Sequence, residues 1–254
     1  GAIVGIDRIS RREPRIGGPA YRDRQVGTLR PAHAAALDGN AISPLRVDYR
    51  DAQSPQRERV ERYIASIFSA AYRASVLEFL PLLVFLEQDS DLQAALGLRC
   101  AREGSLFCEA YLPHPVEQHV RESFGRRVNR SQAMELGNLV SSQPGQAVAL
   151  YLLVVAALGQ AGISHLLFAA NRAVRLSIKR CGFVTREICA ADPACLQGRS
   201  QMWGSYYDGD PKVVLADIRQ AVEHGRNHPA IAGLWQRETL AIASLADAIR
   251  SQRV

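Results

Sequence analysis

Residues 135–145 read Glu135-Leu136-Gly137-Asn138-Leu139-Val140-Ser141-Ser142-Gln143-Pro144-Gly145, and an unbroken apolar run follows over 147–158. The first half predicts a strand carrying one acid and one amide among apolar neighbours. The Ser/Pro/Gly stretch predicts a turn, and the apolar run predicts a helix. In that order, strand, loop and helix offer successive backbone N–H groups at a helix N-terminus, a geometry that holds phosphates. A single glycine is a slender signal for a phosphate cradle, and an ordinary polar turn accounts for the loop equally well. The apolar run stops at Gly159-Gln160-Ala161-Gly162, a length that suits a buried core helix and falls short of a bilayer span.

Outward from this stretch, Ser54-Pro55 opens a helix over 56–72, with Val60, Ile64, Ile67 and Phe68 on one face. Residues 76–86 are apolar, and Pro81 within them predicts a bent strand or a strand pair rather than a helix. Strands are expected over 91–102, with Gly97 and Arg99 on one face, and over 106–112, closed by Pro113 and Pro115. A short helix over 115–123 leads to the strand 130–140. Beyond the helix 146–160 come a strand over 163–170 and a helix over 172–180 that Cys181-Gly182 closes. A last strand near 212–216 and a terminal helix over 229–254 complete the reading. This order predicts an α+β fold: a mixed, mostly antiparallel central sheet flanked by helices. Residues 1–50, rich in Arg, Gly and Pro, predict a basic, irregular arm ahead of a single domain over 51–254.

The chain has 254 residues, 47% of them hydrophobic, enough to bury a full core. Its net charge of +6 is almost wholly arginine, and much of it sits early, at Arg8, Arg11, Arg12, Arg15, Arg22, Arg24 and Arg30. Such a block is a solvated arm or an electrostatic guide for an acidic carrier protein or nucleotide. It lacks the interleaved aromatics of a nucleic-acid surface. Cys100, Cys108, Cys181, Cys189 and Cys195 show no paired spacing, so neither a zinc site nor a disulfide framework is expected. The histidines form no pair at metal spacing. An N-terminus with charges but no apolar core predicts no signal peptide, and the expected location is the cytoplasm.

Three polar groups interrupt otherwise apolar segments: Arg99 with Glu109 and Tyr111, Glu135 with Asn138, and Trp203-Gly204-Ser205-Tyr206-Tyr207-Asp208. Charge inside a core strand is costly unless paired, so one reading is an ion pair of Arg99 with Glu109 or Glu135. The other reading is a cleft. There a desolvated Glu135 or Glu109 deprotonates an amine nucleophile, and Asn138 holds a carbonyl or its oxyanion. Tyr206 or Tyr207 would donate a proton to a departing thiolate, or else form a packed aromatic corner.

At these residues the sequence resembles the thermostable hemolysin family. The resemblance is carried by Gly97-Leu98-Arg99-Cys100-Ala101, by Leu106-Phe107-Cys108-Glu109-Ala110-Tyr111-Leu112 with Pro115 and Glu117, by Glu135-Leu136-Gly137-Asn138-Leu139, and by Trp203-Gly204-Ser205-Tyr206-Tyr207 with Pro211 and Val213. It covers roughly residues 55–220. That family resembles a branch of the GNAT-type acyltransferases, laid out like the acyl-homoserine lactone synthases. The resemblance implies an acyltransferase without a tightly bound cofactor. Its co-substrate would be a thioester of coenzyme A or an acyl carrier protein, splayed between two diverging strands. Its acceptor would be an amine or amino acid attacking directly. Implied catalytic residues are Glu135, Glu109, Arg99 and Tyr207, and Tyr111, Asn138, Asn171, Trp203 and Tyr206 would contact substrate. Leu139, Val140, Ser141, Gln143, Gly145 and Gln146 would hold the thioester. No metal, no nucleic-acid partner and no stable membrane insertion are expected. Two alternatives stay open: a membrane-lytic protein, as the family name says, and a non-catalytic module that binds a thioester or partner on the same fold.

Overall fold

The structure, a computed structural model, describes residues 2–3, 44–143 and 145–252. The basic block expected at Arg8 to Arg30 lies outside the described residues. Among the described residues eight strands form one sheet in the order β2-β3-β4-β5-β1-β6-β8-β7. They are β1 (Ala2–Ile3), β2 (Arg46–Arg50), β3 (Leu82–Gln88), β4 (Asp91–Cys100), β5 (Ala133–Ser141), β6 (His165–Ala170), β7 (Thr185–Ala190) and β8 (Lys212–Asp217). The helices are α1 (Arg57–Tyr72), α2 (Val116–Phe124), α3 (Gln146–Gln160), α4 (Arg172–Arg180), α5 (Ile218–Asn227), α6 (Pro229–Arg237) and α7 (Thr239–Ser251). Pairing is antiparallel throughout, except around β5, β1 and β6, which run parallel. The β5–α3–β6 crossover supplies that parallel pair. The expected α+β fold with a mixed, mostly antiparallel sheet is the one observed.

Strand periodicity divides the core into two layers. Leu82, Val84, Leu96, Leu98, Met134 and Phe168 face α3 and α7. Leu83, Phe85, Ala95, Val140 and Leu167 face α1 and the aromatic cluster of Phe68, Trp203 and Tyr206. α1 presents Val60, Ile64 and Phe68 at four-residue intervals to that second layer. α3 is buried continuously from Leu150 to Leu158, because the sheet covers one side and α5, α6 and α7 cover the other. That explains why its sequence is apolar all round.

Several expectations are corrected. Residues 106–112 are no strand: Phe107–Tyr111 wind into a 3₁₀ turn. Residues 75–80 are irregular, and β3 begins only after Pro81. The single helix expected over 229–254 is two, broken at Glu238, and a further helix, α5, precedes them up to Asn227. Pro229 has no N–H to continue α5, so a new helix starts there. Arg46–Arg50, read as part of the irregular arm, is an edge strand on β3. Thr185–Ala190 is a further strand, paired among the described residues with β8 alone, and its half-exposed Thr-Arg-Glu start hid it.

At the centre of the sheet, β5 and β6 pair over Ala133↔His165, Met134↔Leu166 and Glu135↔Leu167, and then diverge. β1 lies in the gap, with Ile3 beside Leu139 and Ala2 beside Ala169. Just before the gap, β5 bulges: Gly97 faces Gly137 and Ala95 faces Val140, so Leu96 opposes both Asn138 and Leu139. Asn138 carries the bulge at φ +53°, a conformation that asparagine tolerates better than most residues.

Candidate functional site

Glu135 is fully buried on β5. One carboxylate oxygen accepts the Phe107 N–H at 3.0 Å, the other the Cys108 N–H at 2.7 Å. These bonds, anchored from a neighbouring strand, wind residues 107–111 into a turn that no local pattern announces. Glu109 accepts the N–H of Leu106 and Val116 and is gripped by Arg130 at 2.7 Å. Burial alone would raise the Glu109 pKa, but Arg130 and the two N–H groups outweigh it and hold the carboxyl below its usual value. Neither acid faces a substrate cleft as a free base. Glu135 is sealed from the cleft and Glu109 is paired. The ion pair expected of Arg99 is corrected: among the described residues Arg99 forms no salt bridge with either acid, and Arg130 takes that place. Arg130 also binds Glu117 at 2.8 Å, and nothing in its sequence setting singled it out.

Around the gap, the Tyr206 hydroxyl donates to the Ala169 carbonyl at 3.3 Å, and the Tyr111 and Tyr207 hydroxyls meet at 2.6 Å. Burial pushes the Tyr207 phenol up to about 12, and burial with the Tyr207 neighbour raises Tyr111 further. Tyr207 is therefore a weaker acid than a free phenol, whereas a thiol ionises near 8.5 unaided. The expected proton donation to a departing thiolate is not supported, and the packed aromatic corner is what these tyrosines form. Burial, reinforced by the Glu135 charge, keeps Cys108 a thiol rather than a nucleophilic thiolate. Asn171 caps α4 through the Val174 N–H and donates its amide to the Tyr72 hydroxyl, so its side chain serves the fold.

Leu139, Val140 and Ser141 are buried along the parting half of β5. Ser141 Oγ donates to the Gln143 carbonyl at 2.6 Å, and Ser142 Oγ meets the Tyr63 hydroxyl at 2.6 Å. Gly145, at φ +87°, is the N-cap of α3, whose first turn has no side-chain cap. Gln146 follows as the first helical residue. Uncapped N–H groups of this kind suit an anion. Pro144 lies outside the described residues.

Two cavities flank the central strands. One is lined by apolar groups, including Leu136, Leu139, Val155, Phe168 and Phe183, and lies on the α3 face. The other lies on the α1 face beneath residues 75–80, with Arg99, Phe107, Asn138 and Trp203 in its wall. Asn138 Oδ1 accepts the Leu80 N–H at 3.1 Å and so ties residues 75–80 over the pocket. That bond uses the amide oxygen, whereas holding a substrate carbonyl would fall to the amide NH₂. At Gly97 an added Cβ would sit 2.8 Å from Leu80 Cβ and 3.0 Å from Asn138 Oδ1, so glycine is what lets these groups meet. Glu78 and Arg199 also line this pocket, and the sequence reading missed both. Arg99, Asn138 and Trp203 come together here; Tyr111, Tyr206, Tyr207 and Asn171 lie outside its lining. Among the described residues no cluster of His, Cys, Asp or Glu has metal-binding geometry, and no helix is long and apolar enough to cross a membrane.

A strand–bulge–helix core with parted parallel strands and a cavity on each face defines the class of this molecule. A family model described as "Thermostable hemolysin" matches residues 50–222, more than half of the chain, and the protein belongs to that family. Among curated proteins none matches the sequence. Solved structures that resemble it include the acyl-homoserine lactone synthase LasI, 11% identical, covering 69% of this chain and 91% of that one with a TM-score of 0.47. The N-acyl amino acid synthase FeeM from uncultured soil microbes is 14% identical, covering 71% and 94% with a TM-score of 0.47. The CoA-dependent acyl-homoserine lactone synthase BjaI, with SAM and isopentyl-CoA, is 14% identical, covering 76% and 89% with a TM-score of 0.48.

Proposed function

We propose that this protein transfers an acyl group from a coenzyme A or carrier-protein thioester onto an amine. The observation that carries this reading is the gap between β5 and β6, with an apolar cavity on one face and a polar-rimmed pocket on the other. An extended amide-bearing arm suits that gap, because its edges already pair with an extended peptide at Ala2–Ile3. The thioester arm would replace β1, and its phosphate would meet the loop through Ser141, Gln143, Gly145 and Gln146. The acyl chain would fill the apolar cavity past Leu136, Leu139 and Phe168.

In the reaction the free amine attacks the acyl carbon directly. The C–N bond forms, the C–S bond breaks with its electron pair on sulfur, and the proton released by nitrogen reaches the thiolate through water. Cys108, held as a thiol, takes no part. Glu135 acts as a positioning residue: it holds Phe107, and Phe107 is part of the acceptor pocket's wall. Glu78 is the carboxylate in that wall and the group in place to receive an ammonium.

A second reading, a module that binds a thioester without turning it over, is favoured by the burial of Glu135 and the pairing of Glu109. Calorimetric titration with coenzyme A, followed by a thiol-release assay with acyl thioesters and a panel of amines, separates the two. Amine-dependent thiol release supports transfer, and binding without release supports the module. Failure of both coenzyme A and acyl carrier protein to bind would overturn both readings.

A further inference from the structure

Arg99 is a partly buried guanidinium on β4 that lines the α1-face pocket. Among the described residues it has no salt bridge, and the charge it senses is Glu103, outside the pocket's lining. A cation drawn out of water onto a sheet is expected to carry a counter-charge. Trp203 supplies a second, separate sign. It is 7% exposed, lines the same pocket, and its indole Nε1–H is buried without an acceptor among the described residues. Buried donors ordinarily find acceptors, so an orphan donor and an arginine without a salt bridge in the wall of one pocket mark a place for an acidic oxygen pair. Glu78 and Arg199 stand 4.0 Å apart at the same pocket, so both signs of charge are offered to a zwitterion. The remaining wall is apolar: Val76, Leu77, Phe79, Leu80, Phe107 and Met202.

We infer that this pocket is the subsite for an acceptor carrying a carboxylate, an α-amino acid with an apolar side chain, and that Arg99 with the Trp203 N–H receives that carboxylate. This rests on the acyl-transfer reading for its chemistry, though not for its binding. The amino group of the acceptor lies towards Glu78, and its side chain lies against the apolar wall. In the transfer step the amino nitrogen bonds to the acyl carbon, sulfur leaves with the electron pair of the broken C–S bond, and the proton shed by nitrogen passes through water to the thiolate.

The test is equilibrium binding to the full chain, using L-phenylalanine and phenethylamine, which differ only in the carboxylate. The expected result is that L-phenylalanine binds on the order of 10- to 100-fold more tightly, the range that a charge-assisted pair supplies. Arg99→Gln should collapse that ratio towards one, Arg99→Lys should restore part of it, and Trp203→Phe should lower it several-fold. Equal binding of the two probes, binding of neither, or a ratio untouched by Arg99→Gln in a folded protein would each overturn the inference. A parallel thiol-release assay reports on acyl transfer by itself. Release that is indifferent to the carboxylate sinks this inference and leaves the transfer reading standing. Carboxylate-dependent binding without release does the reverse.

Discussion

Arg99 and Glu135 stand directly opposite one another on β4 and β5, yet they do not pair: the carboxylate accepts the Phe107 and Cys108 N–H groups, and the guanidinium lines a pocket. The two charges are thereby separated, one holding a turn of the pocket wall and the other, in the proposed function, free to meet what enters it.

Glu135→Gln keeps the shape but replaces one accepting oxygen with an NH₂ that confronts a backbone donor. Denaturant unfolding should show a loss of about 2–4 kcal/mol, the range for breaking a buried charge-assisted network. A variant as stable as the parent would show that the turn at 107–111 does not depend on this carboxylate.

Gly97→Ala places a methyl against Leu80 and Asn138 Oδ1. The account expects a loss of about 1–3 kcal/mol from overpacking, with residues 75–80 loosened because the Leu80–Asn138 bond is strained. Hydrogen exchange at the Leu80 amide should speed up relative to the amides of β3, and unchanged exchange would count against this hinge.

His165 is buried, with its Nδ1 at 2.9 Å from Ser164 Oγ and its Nε2 without a partner among the described residues. Burial lowers its pKa from 6.5 to about 4, against the nearby Asp217 charge. A folded pKa below the unfolded one means that the unfolded chain binds the proton first. Stability should therefore fall as pH drops from 6.5 towards 4, by on the order of 2–3 kcal/mol. Glu109 carries the same sign into a lower window, since its pKa is held below 4.5. Unfolding curves across this range should flatten between the two histidine values in His165→Leu; an unchanged slope would contradict the assignment.

β1 occupies the gap that the thioester is proposed to enter. Ala2→Pro/Ile3→Pro removes the N–H groups of that strand and should tighten coenzyme A binding several-fold by calorimetry. Weaker binding would mean that β1 helps to build the site rather than obstruct it.

The sequence made the central unit legible because its signals are local. The helices over 146–160 and 172–180 fall on the observed bounds, one from an uninterrupted apolar run and one from the Cys181-Gly182 stop. The two-faced pattern of 82–86 likewise follows from strand geometry. Residues 106–112 misled because their apolar spacing suits a strand, whereas the groups that wind them belong to Glu135, far along the chain. Arg130 escaped notice for the same reason: its partners Glu109 and Glu117 meet it only in the folded molecule. The acids drew attention as bases since sequence marks a buried charge but not what satisfies it. The acceptor pocket was half legible, with Arg99, Asn138 and Trp203 named and the covering residues 75–80 unseen.

The central claim is the formation of an amide from a thioester and an amine on this protein. Mass spectrometry of a mixture of the full chain, octanoyl-coenzyme A and L-phenylalanine tests it most directly. The account predicts N-octanoyl-phenylalanine together with one equivalent of free coenzyme A, both reduced together in Arg99→Gln. Thioester that stays intact, or that is hydrolysed to free octanoate with no amide across the amine panel, would contradict it.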